Sequence, residues 1–138
     1  MKYHVVSDTN VLVSALLSKR SESATVIVME KVFAGEIIPV FCKEILEEYS
    51  SVLLRKKFGF DVVTVHLFLH EFNRRGIIVD MEQADIILPD MKDKPFYAVA
   101  LACENDEGYL ITGNLKHLPT RPFIVSPARF LEILQNAD

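Results

Sequence analysis

Short apolar runs alternate with longer amphipathic stretches along the chain. The apolar runs lack a regular polar alternation, so they predict strands that are buried on both faces of a parallel sheet. They cover residues 3–7, 36–41, 77–80, 109–112 and 123–125. The other stretches predict helices over residues 11–17, 24–34, 43–57, 60–72 and 96–103, and a last helix that begins at Ser126-Pro127. Because helices separate most of the strands, we predict an α/β fold with helices on both faces of the sheet.

Pro39 constrains the position of the second strand. Proline has no backbone N–H group to donate to a neighbouring strand. We therefore expect Pro39 near the end of its strand, or in a strand at the edge of the sheet.

The helix predicted over residues 43–57 has a strong apolar stripe. The residues of this stripe are Ile45, Leu46, Tyr49, Val52 and Leu53. At ~100° per residue, Glu48 lies beside the stripe and Glu47 points almost opposite to it. Glu48 is therefore the acid of this helix that is best placed to reach into a cleft, although a solvated position is the usual one for a glutamate.

Asp8 lies between the first predicted strand and the first predicted helix. In open α/β sheets, ligands bind at the carboxyl ends of the strands, close to the positive ends of the following helices. A simpler interpretation is that Asp8 or Asn10 only caps the helix, since both residue types cap well. This stretch alone favours capping.

The argument for a functional site is that several polar side chains converge on one edge of the sheet. Right-handed crossovers bring the carboxyl ends of parallel strands to the same edge. The residues expected there are Asp8, Glu48, Asp90, Asp93 and Asn114. Such hard oxygen ligands suit Mg²⁺ or Mn²⁺, which can activate water and neutralise charge on a phosphoryl group.

Composition narrows the protein class further. The chain has 138 residues, of which half are apolar and a quarter charged, and no repeat or linker divides it, so we predict a single globular domain over residues 1–138. No apolar run reaches the ~18 residues of a membrane helix, and the N-terminus lacks the features of a signal peptide, which predicts a cytoplasmic protein. Cys42 and Cys103 fit no metal-binding spacing and are expected to be buried thiols. The four histidines also lack a ligand spacing, except for the pair His66 and His70, which we expect at the surface.

Several motifs, in order, resemble the PIN-domain family, and within it the toxin components of toxin–antitoxin systems. They are Asp8-Thr9-Asn10-Val11-Leu12, Ile45-Leu46-Glu47-Glu48-Tyr49, Asp90-x-x-Asp93 with Phe96 and Ala100, Tyr109-Leu110-Ile111-Thr112-Gly113-Asn114, and Ile124-Val125-Ser126-Pro127-Ala128-Arg129-Phe130-Leu131. The resemblance implies a three-layer α/β/α fold with a central parallel sheet and cleavage of RNA with Mg²⁺ or Mn²⁺. It also implies that Asp8, Glu48 and Asp93 bind the metal.

The chain departs from the family at its fourth acidic position, where Asn114 stands in place of the usual Asp. An amide oxygen can ligate a metal or orient a bound water, but it adds no negative charge. We expect this change to weaken a second metal more than a first. Asp90 is a candidate to compensate for the lost charge. Cys42 is a milder departure, at a position where relatives tend to have a capping Ser or Thr.

The first functional hypothesis is a metal-dependent endoribonuclease that acts on single-stranded RNA, as the toxin partner of a small antitoxin and as a homodimer. Thr112 and Asn114 would orient water or phosphate, and Asn10 would close the turn that aims Asp8. Basic residues in loops are expected to bind the RNA backbone. They are Lys19, Arg20, Lys92, Lys94, Lys116, His117 and Arg121. The basic runs 55–57 and 74–75 are interpreted as helix ends instead.

Two alternatives belong to other protein classes. In the first, the chain has lost catalytic activity because of Asn114, and the fold serves as an RNA-binding or protein-binding module. In the second, residues 5–11 resemble the nucleophile loop of haloacid-dehalogenase-type phosphatases. That family needs a second acid where this chain has Asn10, and the acidic pair of residues 90 and 93 comes too early in the chain, so we disfavour the second alternative.

Overall fold

The computed structural model describes residues 3–80, 88, 90–104 and 107–137. The strands are β1 (Tyr3–Ser7), β2 (Ile37–Phe41), β3 (Ile77–Ile78), β4 (Gly108–Ile111) and β5 (Ile124–Val125). The helices are α1 (Thr9–Leu17), α2 (Ala24–Phe33), α3 (Lys43–Leu53), α4 (Val62–Arg75), α5 (Lys94–Cys103) and α6 (Pro127–Gln135). Single 3₁₀ turns cover Lys56–Phe58, Met91–Asp93 and Leu115–His117.

The five strands form one parallel sheet in the order β3-β2-β1-β4-β5. The first strand lies at its centre, where Val5 pairs with both Pro39 of β2 and Tyr109 of β4. Helices flank the sheet on both faces, so the predicted three-layer α/β/α fold is confirmed. The parallel arrangement brings the carboxyl ends of all five strands to one edge.

The prediction for Pro39 was wrong, because Pro39 is the third residue of an inner strand. A Cβ atom on Gly76 would lie 2.6 Å from the carbonyl oxygen of Pro39, so this edge of β2 faces the residue just before β3 begins. Pairing between β2 and β3 starts only at Val40. Pro39 therefore precedes the residues of β2 that pair with β3. Its lack of a backbone N–H group costs no hydrogen bond between these two strands.

The third helix was predicted to reach residue 57 but ends at Leu53, which is also the last residue of its apolar stripe. The backbone N–H of Arg55 donates to the carbonyl of Val52 at 3.1 Å, and a 3₁₀ turn follows. Gly59 then ends that turn with φ of 67°, a left-handed conformation that favours glycine. The basic run thus begins just beyond α3 rather than inside it.

The apolar stripes of the helices pack against the sheet in one buried core. Side chains that are less than 2% exposed come from β1, α1, α3 and α4, among them Val5, Leu12, Ile45 and Phe72. This packing fixes α1 and α3 beside the end of β1, which is where the candidate site lies. In the ranges that the structure describes, no helix has both the length and the apolarity needed to cross a membrane.

Candidate active site

An open cleft of about 270 Å³ lies at the carboxyl edge of the sheet. Its lining residues are Asp8, Thr9, Asn10, Glu48, Val52, Arg55, Asp90, Lys92, Asp93, Asn114 and His117. The structure therefore brings together the acids and the asparagine that sequence reasoning assigned to this edge. They reach the cleft from four different connections of the fold, so helix capping alone does not account for the arrangement.

Asp8 is the N-cap residue of α1, but its side chain makes no capping hydrogen bond. Its Oδ2 atom instead accepts a hydrogen bond of 2.7 Å from the hydroxyl of Thr112, which follows β4. The carboxylate is thus oriented across two neighbouring strands toward the cleft. This geometry rejects the interpretation that Asp8 only caps the helix.

Thr112 has a different role from the predicted one. Its side chain is fully buried, so it cannot contact a phosphate or a bound water in the cleft. Its hydroxyl donates to Asp8 and accepts a hydrogen bond of 3.0 Å from the backbone N–H of Asn114. Thr112 therefore positions Asp8 and the turn that carries Asn114, while the Asn114 side chain itself lies at the cleft.

Two consecutive residues of α3 attach that helix to the turn around Asp8. The hydroxyl of Thr9 donates to Oε2 of Glu48, and the hydroxyl of Tyr49 donates to the carbonyl oxygen of Ser7. Glu48 is half-buried and lines the cleft, whereas Glu47 is exposed and does not. The helical geometry predicted this difference between the two glutamates correctly.

The carboxylates of the cleft repel one another. Burial raises the pKa of Asp93 to about 6, and the nearby charges of Asp8, Asp90 and Glu48 add to this effect, while His117 opposes it. Burial also raises the pKa of Asp8, against the stabilising hydrogen bond from Thr112. Such crowding of negative charge in a cleft is typical of functional sites and favours a cation there.

Only part of the predicted basic rim reaches the cleft. Lys92 and His117 line it. Arg20 instead forms an ion pair of 2.9 Å with Glu22, and Arg121 donates to the hydroxyl of Tyr97 at 3.3 Å. The remaining predicted contacts, Lys19, Lys94 and Lys116, are not among the residues that line the cleft.

Sequence reasoning missed Arg55, which does line the cleft. The sequence pattern favours a helix end for the basic run 55–57. The signal that could have found Arg55 is its spacing, because it follows Glu48 by seven residues and Val52 by three. These steps correspond to about two turns and one turn of helix, which places all three on one side.

The remaining residues with metal-binding potential lie elsewhere. His66 and His70 are exposed on α4, as predicted. Cys42 and Cys103 are both buried, and Cys42 is the N-cap residue of α3 without a capping hydrogen bond from its side chain. Neither pair contributes to the cleft.

Asp8, Glu48 and Asp93 supply the kind of ligands that Mg²⁺ or Mn²⁺ prefers. One oxygen of Asp8 and one of Glu48 each accept a hydrogen bond from a hydroxyl, which orients the two carboxylates at the cleft. Within the described ranges, no three His, Cys, Asp or Glu side chains are close enough together to hold one ion between them. The acids therefore fit a divalent cation by their chemistry and charge, and would have to draw closer to bind it.

A family model described as a PIN domain matches residues 4–116 of the chain. This range runs from β1 to the turn after β4 and includes every acid of the cleft. The fold and the acidic cleft are those of a nuclease-type domain, and the chain belongs to the PIN-domain family. No curated protein and no solved structure shows significant similarity to the chain.

Proposed function

We propose that this PIN domain is a metal-dependent endoribonuclease that hydrolyses phosphodiester bonds of single-stranded RNA. PIN domains are generally nucleases that use divalent metals, which supports the coarser part of the proposal. The observation that carries it is the gathering of Asp8, Glu48 and Asp93 in one cleft, where burial first, and then repulsion from the neighbouring carboxylates, raises the pKa of Asp93 to about 6. A divalent cation relieves that repulsion.

In the proposed mechanism, Asp8, Glu48 and Asp93 would hold Mg²⁺ or Mn²⁺. A cation bound there supplies charge to neutralise the phosphodiester and lowers the pKa of an attacking water. The hydroxyls of Thr112 and Thr9 keep the carboxylates of Asp8 and Glu48 in orientation. These two hydrogen bonds limit the reorganisation that metal binding would still require, since the acids would have to draw closer.

The side chains at the rim of the cleft have supporting roles. Asn114 and Asp90 line the cleft and would orient water or phosphate. Asn10 is exposed in the first turn of α1 and also lines the cleft, so it can contact the substrate as well as close the turn. A toxin role, a small antitoxin partner and a homodimer stay predictions from the family resemblance.

Cleavage of a labelled single-stranded RNA, with and without divalent metal, tests the proposal. We expect cleavage in Mg²⁺ or Mn²⁺, loss of cleavage in EDTA, and recovery when the metal is restored. Single-stranded DNA and duplex RNA serve as comparison substrates. Cleavage that persists in EDTA, or that persists in the variant Asp8→Ala, would contradict the proposed mechanism.

The second candidate function is a binding module with weakened chemistry, and the position of Asn114 favours it. Asn114 is exposed at the cleft, so its uncharged side chain lowers the negative charge of the metal site. We expect the variant Asn114→Asp to bind Mn²⁺ about tenfold more tightly, equivalent to about 1.4 kcal/mol. Titration calorimetry measures this change.

The same variant separates the two candidate functions. If the parent binds no metal and cleaves no RNA until Asn114 becomes Asp, the natural chain is the binding module. If metal affinity and cleavage stay the same in Asn114→Asp, Asn114 does not limit activity.

A further inference from the structure

Arg55 has a defined position on the cleft even though it follows the end of α3. Its backbone N–H donates to the carbonyl of Val52, which closes the last turn. Its side chain lines the cleft next to Val52 and on the same side as Glu48. Glu48 and Arg55 thus line the same cleft, one from α3 and the other from just beyond its end.

The three cations of the basic run have different surroundings. Lys57 places its Nζ atom 5.1 Å from the centre of the Phe58 ring, in a cation–π contact. Lys56 is exposed and does not line the cleft. Of these three residues, Arg55 alone lines the cleft with the acids. The three cations therefore have different roles available to them.

Arg55 has no charged partner among the residues that the structure describes. Within the described part of the chain, its guanidinium forms no ion pair, whereas Arg74 and Arg75 both pair with Glu71. The largest influences on the pKa of Asp8 and Asp93 do not include Arg55, and the cation that lowers the pKa of Asp93 is His117. Arg55 therefore has its hydrogen-bond donors available for an external anion.

An RNA strand that enters this cleft brings negative phosphates toward four carboxylates. Cations must offset this repulsion on the wall that the strand follows. An arginine suits this task because its planar guanidinium can donate two parallel hydrogen bonds to one phosphate. Lys92 lies in the 3₁₀ turn Met91–Asp93. Its backbone N–H donates to the side chain of Asp90 at 2.9 Å.

We propose that Arg55 binds a backbone phosphate of the nucleic acid, next to the bond that is cleaved, and so positions the strand in the cleft. This inference rests on the proposed nuclease function. It assigns to Arg55 a positioning role that is separate from metal binding. The variant Arg55→Ala should weaken RNA binding and leave the affinity for Mn²⁺ unchanged.

The test measures the binding of a fluorescent single-stranded oligoribonucleotide by anisotropy between about 50 and 200 mM NaCl. The cleavage-deficient background Asp93→Asn keeps the RNA intact in all samples. We expect Arg55→Ala to bind about fivefold to tenfold more weakly, as expected for the loss of one charged hydrogen-bonded contact. The slope of log K against log salt should fall by about 0.7, the value for one phosphate contact on a single strand.

Lys56→Ala is the matched control, since it removes the same charge from the adjacent residue outside the cleft. Arg55→Lys should restore the slope but only part of the affinity, because lysine lacks the planar fork. Equal losses in Arg55→Ala and Lys56→Ala would overturn the inference. If the parent chain cleaves no RNA but the Arg55-specific loss of binding is observed, the nuclease proposal fails and the role of Arg55 in phosphate binding stands.

Discussion

The variant Asp93→Asn is expected to stabilise the metal-free protein and to abolish cleavage. Asp93 has a pKa of about 6 in the folded chain, above its ordinary value of 3.8. Between these two values the folded state binds the proton more tightly than the unfolded state, so stability falls as the pH rises toward 6. At neutral pH the folded chain holds an ionised Asp93 in an unfavourable environment, and the neutral amide removes that cost.

The shift sets an upper limit of about 3 kcal/mol at pH 7.5. Because Asp93 is partly exposed, we expect a gain in the free energy of unfolding of about 1–2 kcal/mol and a rise of several degrees in Tm. The side chain of Asp93 makes no capping hydrogen bond at the start of α5, so the change to asparagine removes none. The same change removes a metal ligand, and cleavage should fall by about a thousandfold.

Thermal unfolding in EDTA at pH 7.5 and at pH 4.5 checks the prediction for stability. The gain should be present at pH 7.5 and shrink at pH 4.5, where Asp93 carries a proton in the folded parent. Asp80→Asn is the control, since Asp80 is exposed and does not line the cleft. A parent that is as stable as Asp93→Asn at pH 7.5 would mean that neither burial nor the neighbouring carboxylates destabilise the ionised form of Asp93.

Glu48→Gln and Glu47→Gln form a matched pair on one helix. Both changes replace a carboxylate with an amide of the same shape, but only Glu48 lines the cleft. We expect Glu48→Gln to lower kcat about a hundredfold and to weaken Mn²⁺ binding at least tenfold. Glu47→Gln should stay within about twofold of the parent, as surface changes usually do.

The fold of Glu48→Gln should be preserved, because the amide oxygen can still accept the hydrogen bond from Thr9. Circular dichroism and Tm measurements verify this before kinetics are compared. Similar losses of activity in both variants would place the chemistry away from this wall of the cleft.

The sequence was sufficient for the fold and for the acids, because both follow from periodicity. Short apolar runs separated by helices predict a parallel sheet, and parallel strands bring Asp8 and the later acids to one edge. The side of α3 that carries Glu48 follows from its apolar stripe. These inferences depend only on local pattern and on the handedness of the connections.

What the sequence could not supply depends on contacts between distant residues. The hydrogen bond between Asp8 and Thr112 joins residues that are 104 positions apart, and no local pattern near either residue predicts it. The position of Pro39 depends on where pairing between β2 and β3 begins, and no local pattern shows this start. Arg55 differs from these two, because its helical spacing from Glu48 is present in the sequence, but the basic run was interpreted only as a helix end.

The paired bonds of Thr9 to Glu48 and of Tyr49 to Ser7 also determine where the chain can change length during evolution. The exposed loop between α1 and α2 is separate from both bonds, so insertions and deletions there leave the cleft intact. One residue inserted in α3 ahead of Glu48 would instead rotate both side chains by about 100° and detach the helix from the turn around Asp8. Homologous chains should therefore vary in length in the loop between α1 and α2. They should keep a constant spacing between the end of β2 and the pair Glu48 and Tyr49.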